Sequence, residues 1–179
     1  DMATGRPVES EFADYQKNGG SYLWPSPFGA HNWQPMSYSQ KTGYIYIPVQ
    51  SFPAYFTGQK EVRYLENRWN TGVDLNEIRG PQSWVAGRAV MDALVYGELV
   101  AWDPIKNERA WTVRHPKPSN GGTLSTAGNL VFQGTWNGVF TAYDAANGDQ
   151  LWQYQSDSAI LAGPITYELD GDQYVAVAQ

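Results

Sequence analysis

The amino-acid sequence predicts an all-β protein built from four-stranded antiparallel sheets. Three observations lead to this fold class. The 179 residues include 18 Gly, 11 Pro, 12 Tyr and 8 Trp but no Cys, a composition typical of many short strands joined by tight turns. Through the last third of the chain, short β-rich runs alternate with turn sequences. One segment also recurs after 41 residues, which indicates a repeat architecture.

The strands predicted in the last third follow one another as an antiparallel meander. They comprise residues 129–133, 139–143, 150–154, 165–168 and 173–177. The first two flank the turn Trp136-Asn137-Gly138, where Gly supplies the positive φ of a hairpin turn. The third follows the turn-rich run DAANGD, and the last two flank an Asp-Gly turn. Helical periodicity is found only around residues 75–79, so no other helix is expected.

The repeated segment predicts how the sheets are arranged. Residues 101–111 (AWDPIKNERAW) and 142–152 (AYDAANGDQLW) share Ala, Asp and Trp at the same three offsets. A third copy is cut by the chain start, where Asp1, Thr4 and Gly5 occupy matching offsets. A period of about 40 to 45 residues with four strands per repeat is typical of a β-propeller blade. A sandwich with coincidental Trp spacing is the alternative.

Each shared residue of the repeat has a structural reason. The Asp at the end of a strand accepts hydrogen bonds from the backbone N–H groups of the following turn, and Gly or Asn adopts the left-handed conformation that the turn needs. The Trp presents a large, flat apolar face from the next strand. A sheet of about 40 residues cannot bury both faces by itself. We therefore expect Trp111 and Trp152 to pack on the neighbouring repeat.

Composition and charge exclude several classes of function. The formal net charge of −6 disfavours the electrostatic binding of phosphate backbones, which needs a clustered basic surface, so no nucleic-acid partner is expected. The absence of Cys excludes disulfides and thiolate metal sites. No apolar run reaches the length of a membrane span, and the opening DMATGRPVES has neither the charged start nor the apolar middle of a signal peptide.

Segments along nearly the whole chain carry a family resemblance. They are GRPVE at 5–9, GAHNWQPMSYS at 29–39, GELVAWDP at 97–104, NGGTLSTAGNLVFQG at 120–134 and GPITYELDGDQYVAVA at 163–178. In this order they resemble the periplasmic quinohaemoprotein alcohol dehydrogenases. The repeat A-x-D-x-x-T/N-G-x-x-x-W is similar to the tryptophan-docking motif of pyrroloquinoline quinone (PQQ) dehydrogenase propellers, with Lys106-Asn107 as a departure from Thr-Gly.

The resemblance implies part of an eight-bladed quinoprotein propeller, of which this chain holds roughly three blades. Residues 1–28 are expected to end one blade, 29–114 to form a blade with a long insertion between Ser51 and Tyr96, 115–156 to form the next, and 157–179 to start another. All would belong to one propeller domain. We expect the chain to be a segment of a longer polypeptide, towards the C-terminal end of the propeller.

The resemblance also implies a function. It is the PQQ- and Ca²⁺-dependent oxidation of primary alcohols to aldehydes in the periplasm, with electrons passing to a c-type haem on a separate domain or protein. The carboxylate base and the Ca²⁺ ligands are expected in upstream blades, so no catalytic residue and no metal ligand is assigned in this chain. Expected partners are the alcohol, the remainder of the propeller and the cytochrome c domain or protein.

Asn32 and Trp33 are the residues predicted to contact PQQ. The Asn32 amide can donate an N–H to a quinone or carboxylate oxygen, and Trp33 can offer a flat apolar wall. The alternative is structural, with Asn capping a turn and Trp filling the core. Asn120-Gly121-Gly122 is expected to be a plain turn, with close approach of the backbone to a ligand as the alternative.

A second class of function stays open at the level of sequence. His31 and His115 share no ligand spacing with carboxylates, so they do not indicate a metal site. Similar repeats also occur in non-enzymatic periplasmic propellers, in which the blades act as a protein-binding scaffold. Docking repeats alone would serve either role. The segments HNWQPMSYS and NGGTLSTAG favour the enzyme.

Overall fold

A computed structural model describes residues 1–80 and 85–179. The strands are β1 (Ser21–Leu23), β2 (Ser37–Tyr38), β3 (Ile45–Ser51), β4 (Ala54–Phe56), β5 (Tyr96–Asp103), β6 (Glu108–His115), β7 (Asn120–Ser125), β8 (Leu130–Thr135), β9 (Val139–Asp144), β10 (Gln150–Gln155), β11 (Ile165–Leu169) and β12 (Asp172–Ala176). A 3-10 helix spans Leu75–Glu77, and an α-helix, α1, spans Val85–Ala93. Within the described ranges, no helix is long and apolar enough to cross a membrane.

The chain forms two compact units. The first comprises residues 1–27 and 53–94, and the second comprises residues 28–52 and 95–179. In the first unit β1 pairs with β4, and the 3-10 helix and α1 follow β4 in the chain. The second unit contains two four-stranded antiparallel sheets, ordered β2-β3-β5-β6 and β10-β9-β8-β7, and the hairpin β11-β12. The predicted all-β class of four-stranded antiparallel sheets is therefore confirmed.

The five strands predicted in the last third correspond to β8 through β12, and their ends differ by at most two residues. The helical signal near residue 75 corresponds to the 3-10 helix, where Asp74 caps the turn by accepting a hydrogen bond from the backbone N–H of Asn76 at 3.0 Å. The expectation of no other helix was wrong, because α1 forms at Val85–Ala93. Its sequence contains Gly87, and Gly is among the residues least favourable to a helix interior.

The long insertion begins and ends at two residues that lie opposite each other in the first sheet. Ser51, the last residue of β3, lies opposite Tyr96, the first residue of β5. The two strands therefore pair as direct neighbours although residues 52–95 separate them in the chain. The division of the chain into blades at 28, 114 and 156 stays a prediction.

Both full copies of the repeat have the same strand register. Ala101 lies opposite Trp111 in the first sheet and Ala142 lies opposite Trp152 in the second, and a register shift follows each pair. The bulge lets the outer strand accommodate one extra residue beside the Trp. The shared offsets of Ala and Trp thus reflect one cross-strand pair that is built twice.

The turn geometry predicted for the repeat is confirmed. Asp103 Oδ1 accepts hydrogen bonds from the backbone N–H groups of Ile105 and Lys106, both at 3.0 Å. Asp144 Oδ1 accepts one from Ala146 at 2.7 Å, and Asp1 Oδ1 accepts one from Ala3 at 2.8 Å. The left-handed residues of the three turns are Gly5 (φ 65°), Asn107 (φ 57°) and Gly148 (φ 79°).

The first sheet packs on the second through a shared apolar core. It contains Tyr46, Leu99 and Ala101 from the first sheet and Val131, Tyr143 and Ala145 from the second sheet and its turn, all with at most 4% exposure. A second cluster of Phe132, Phe140, Ala142 and Ile160 lies under Val175 and Val177 near the hairpin. Burial of these apolar side chains is the main force that stacks the sheets.

Trp111 lies on the turn of the neighbouring repeat. Its indole Nε1–H donates to the carbonyl oxygen of Ala145 at 3.1 Å, and its ring centroid lies 5.6 Å from that of Tyr46. A Cβ atom added to Gly148 would lie 2.7 Å from Trp111 Cε3, so the indole covers the space that this Gly leaves open. The indole thus bridges the outer strand of one sheet and the turn of the next.

Trp152 does not follow the expectation. Its side chain is 51% exposed, and its ring makes an edge contact with Phe140 of its own sheet at 6.3 Å. The prediction that it packs on a neighbouring repeat was wrong for this chain. Trp111 is received by the turn between the third and fourth strands of the next sheet, whereas the described residues after Trp152 form the two-stranded hairpin β11-β12.

Candidate functional site

A cavity of about 350 Å³ lies in the second unit, at the ends of strands from both four-stranded sheets. It is lined by Phe28, Asn32, Trp33, Gln34, Gln50, Phe52, Pro118, Ser119, Asn120, Trp136 and Leu161. Its wall therefore consists mainly of aromatic rings and side-chain amides. Among the described residues that line it, none carries a charge. Such a lining suits a flat, largely apolar ligand that is oriented by a few hydrogen bonds.

Asn32 and Trp33 lie together on the loop that precedes β2, and both line this cavity. The Asn32 Nδ2 group donates one hydrogen bond to the Phe28 carbonyl oxygen at 3.0 Å. An amide carries two N–H donors and a carbonyl acceptor, so a further N–H remains for another partner. The sequence prediction that these two residues contact PQQ stays a prediction, and the structure brings them to one cavity wall.

Trp33 is 64% exposed, so its indole does not fill the core. Trp136, which also lines the cavity, is 50% exposed. Large aromatic side chains that stay exposed in a concave site commonly mark a binding surface. The structural alternative for Trp33, a core-filling ring, is therefore contradicted.

Asn120 contributes to the same cavity from the start of β7. The plain turn expected at Asn120-Gly121-Gly122 was wrong, since these residues form a strand. Asn120 Nδ2 donates to the Lys117 carbonyl oxygen at 2.9 Å, and its Oδ1 accepts the backbone N–H of Trp136 at 3.4 Å. The side chain is 3% exposed and ties the turn that carries Trp136 to the strand next to it.

The glycines of this strand serve close packing inside the protein. A Cβ atom on Gly121 would lie 2.9 Å from the Ile160 carbonyl oxygen, and one on Gly122 would lie 2.4 Å from Pro35 Cγ. Both positions are filled by protein atoms. Close approach of this backbone to a ligand, the alternative that the sequence left open, is therefore not the reason for the two glycines.

Neither histidine belongs to a metal centre in the described structure. His31 Nδ1 bonds the Pro48 carbonyl oxygen at 2.7 Å, whereas His115 Nε2 bonds Gln133 Oε1 at 3.0 Å. Burial lowers the pKa of His115, partly offset by its hydrogen bond to Gln133. Among residues 1–80 and 85–179, no cluster of three or more His, Asp and Glu side chains is placed to hold a metal ion.

Sequence reasoning did not identify Gln50, Phe28 and Trp136 as parts of the site. Gln50 is a buried residue of β3, and nothing in the local sequence distinguishes it from other buried strand positions. Trp136 stands directly before an Asn-Gly turn, so the sequence indicates only a hairpin there. The one signal in the sequence that could have indicated a binding role is the large Trp136 ring at a turn.

The stacked sheets and the repeat define the class of protein. Two four-stranded antiparallel sheets and a hairpin, joined by apolar clusters and by the Trp111 contact, form part of a β-propeller. The chain belongs to the family described as PQQ: Glucose/ethanol/alcohol dehydrogenase, beta-propeller domain, which matches residues 5–175. The family resemblance inferred from the sequence is confirmed.

Relatives and solved structures agree with this membership. The chain is 46% identical over 177 residues to the quinohemoprotein alcohol dehydrogenase ADH IIB of Pseudomonas putida, covering 99% of this chain and 24% of the relative. It resembles the structure of ADH IIG from Pseudomonas putida HK5, with a TM-score of 0.84 and 40% identity over 98% of this chain and 26% of that one. For a europium-containing methanol dehydrogenase the TM-score is 0.73 and the identity 29%, over 88% and 26% of the chains.

The chain thus spans about a quarter of the length of the relatives that it matches. The relatives' whole-protein activity therefore depends on a polypeptide about four times as long. The part that this chain spans includes the aromatic and amide lining of the cavity around Asn32 and Trp33.

Proposed function

We propose that this chain is part of a PQQ-dependent alcohol dehydrogenase and that its cavity forms one wall of the cofactor site. The observation that carries the proposal is the exposed Trp33 indole beside the Asn32 amide in an aromatic cavity. Membership of the PQQ dehydrogenase family and the alcohol dehydrogenase names of the relatives support it.

The lining residues fit one part of PQQ. This cofactor is a flat, fused-ring quinone that also carries carboxylates. The exposed faces of Trp33 and Trp136 match a planar ring, and the Asn32 amide matches a quinone oxygen as acceptor. The carboxylates need cationic partners, and the described lining supplies none. The proposed contribution of this chain is therefore to the ring and its oxygen.

The proposed roles of these residues are binding, orientation and exclusion of water. PQQ, when bound, supplies the electrophilic quinone carbon that accepts hydride from the alcohol. Trp33 would cover one side of the site and keep water away from it, which strengthens the hydrogen bonds inside. Asn32 would fix the orientation of the ligand by donating an N–H to one oxygen. Both roles are positional, and neither side chain is a proton acceptor.

The remaining parts of the activity are proposed for polypeptide outside this chain. They are the carboxylate base, the Ca²⁺ ligands and a c-type haem that takes the electrons. The word quinohemoprotein in the names of the relatives supports the haem, and the europium-containing methanol dehydrogenase supports a metal ion near such a propeller. A tryptophan-docking role for Trp111 and a periplasmic location are proposed on the family resemblance.

The test uses the full-length polypeptide with PQQ and Ca²⁺ and follows dye reduction with ethanol. We expect turnover by the wild type, and about tenfold weaker PQQ binding in Asn32→Leu and Trp33→Ala, because each loses a ring or hydrogen-bond contact. Asn70→Leu is a matched control, since its amide donates to loop carbonyls in the other unit. Folded wild type that neither binds PQQ nor oxidises ethanol would favour the non-enzymatic scaffold.

A further inference from the structure

We propose that Gln50 is a positioning residue that fixes the loop carrying Asn32, so that the Asn32 amide is correctly oriented towards the ligand. This inference rests on the proposed function of the cavity. Gln50 acts through Asn32 and donates nothing to the ligand itself.

Gln50 holds three successive backbone carbonyls of this loop. It lies on β3, is 8% exposed, and its Nε2 group donates to the carbonyl oxygens of Phe28 at 2.8 Å and Gly29 at 3.1 Å. Its backbone N–H donates to the Ala30 carbonyl oxygen at 2.8 Å. One residue of a rigid strand therefore bonds the whole start of the loop.

The Phe28 carbonyl oxygen connects Gln50 to Asn32. It accepts from Gln50 Nε2 and also from Asn32 Nδ2, at 3.0 Å. A carbonyl has two lone pairs, so the two amides share one acceptor. Any rotation of the 28–29 peptide would turn the bond that anchors the Asn32 amide. The orientation of Asn32 thus depends on Gln50.

The loop needs such a restraint because of Gly29. This residue has a φ of 74°, and an added Cβ would lie 2.9 Å from the His31 carbonyl oxygen. Only Gly allows the turn, but Gly also has the largest backbone freedom. The two bonds from Gln50 Nε2 hold the peptide groups 28–29 and 29–30, one on each side of the Gly29 Cα, and restrict that freedom.

Gln50 also lines the cavity, so direct binding has to be distinguished from positioning. A side-chain amide has two N–H donors, and both of those of Gln50 Nε2 have a carbonyl partner in the loop. No N–H of this amide is left for a ligand. The amide of Asn32, in contrast, has one bonded carbonyl and a donor to spare.

The test is a double-mutant cycle in the full-length polypeptide, with the dissociation constant of PQQ measured by quenching of Trp fluorescence. Gln50→Met keeps the length of the side chain and the backbone bond to Ala30 but removes both amide donors. We expect it to weaken PQQ binding about tenfold in the wild-type background and by less than about twofold in the Asn32→Leu background. A role in stability alone would not produce this coupling.

Equal weakening by Gln50→Met in both backgrounds would overturn the inference. Gln50→Asn is the second variant, because its amide persists on a shorter side chain that cannot reach both carbonyls. We expect the same loss from it, and wild-type affinity would contradict the inference. Asn70→Leu is the control and should leave PQQ binding unchanged. Wild type that fails to bind PQQ overturns both proposals, whereas binding without coupling overturns this one alone.

Discussion

Gly148 links the backbone geometry of one turn to the packing of two sheets. Its φ is 79°, and an added Cβ would also meet the Trp111 ring at 2.7 Å. Gly43 has a similar φ of 75°, but an added Cβ there would have no heavy atom within 4 Å. A comparison of the two positions therefore distinguishes the cost of backbone strain, which both share, from the cost of a steric clash, which arises only at Gly148.

We expect Gly148→Ala to lower the free energy of unfolding by about 2–4 kcal/mol and Gly43→Ala by only about 1 kcal/mol. Both variants place a Cβ at positive φ, but only the first also displaces the indole of Trp111. Urea denaturation of the two variants measures the difference. Equal losses would show that the indole does not rest on Gly148.

His115 determines a pH dependence of stability. Burial lowers its pKa below the ordinary value of 6.5, so the folded state binds a proton less readily than the unfolded state. Stability is therefore fully present above about pH 6.5 and falls, by up to about 1.4 kcal/mol per pH unit, as the pH drops towards the lowered pKa. Below that pKa the contribution of this group is constant.

We expect His115→Gln to flatten this part of the pH profile, because Gln can donate to Gln133 Oε1 but does not titrate. The measurement is the free energy of unfolding between about pH 5 and about pH 7.5 for both proteins. The slopes are compared rather than the absolute values, since the substitution itself costs stability. An unchanged slope would contradict the assignment to His115.

At the level of elements, one carbonyl oxygen joins two strands of the first sheet to a turn of the second. Ala145, in the turn between β9 and β10, accepts from Tyr46 Oη on β3 at 2.8 Å and from Trp111 Nε1 on β6 at 3.1 Å. Burial raises the pKa of Tyr46, which keeps its hydroxyl protonated as a donor. The inner strand β3 and the edge strand β6 of the first sheet are thereby bonded to the turn of the second.

We expect Tyr46→Phe and Trp111→Phe each to cost about 1 kcal/mol, since the other donor still satisfies the buried carbonyl. The double variant should cost about 1–2 kcal/mol more than the sum, because Ala145 is then left without either donor. Denaturant unfolding measures the coupling. Tyr46→Phe combined with Trp152→Phe is the control pair and should be additive, as Trp152 does not contact this carbonyl.

At the level of the whole molecule, the end of the second unit exposes an apolar surface. Edge strand β10 has Leu151 at 57% and Tyr154 at 54% exposure, and β11 has Ile165 at 61% and Leu169 at 55%. Exposed apolar strands with unpaired edges favour association with other chains. A closed ring of sheets has no such edge.

The 179-residue chain, expressed by itself, is expected to self-associate and to bind an apolar dye. Leu151→Lys combined with Ile165→Lys should reduce both effects several-fold, because charges on edge strands oppose pairing. Ile105→Lys removes a 92% exposed side chain in a turn and should change little. Sedimentation and dye fluorescence measure the two effects, and a monomeric, dye-negative wild type would contradict the expectation.

The sequence by itself determined the local features of this protein. Strands β8 to β12, the Asp-capped turns and the positions of left-handed residues follow from turn chemistry and from the period of the repeat, which act within a few residues. The family could also be predicted, because several separate motifs occur in the order typical of it.

Only the tertiary structure decided which distant groups meet. Trp136 reaches the wall that holds Asn32, Gln50 bonds a carbonyl 22 residues away, and Trp111 finds its acceptor 34 residues along the chain. Trp152, with the same local sequence pattern, stays exposed. These outcomes depend on which strand lies opposite a side chain, and that is fixed by the packing of whole sheets rather than by neighbouring residues.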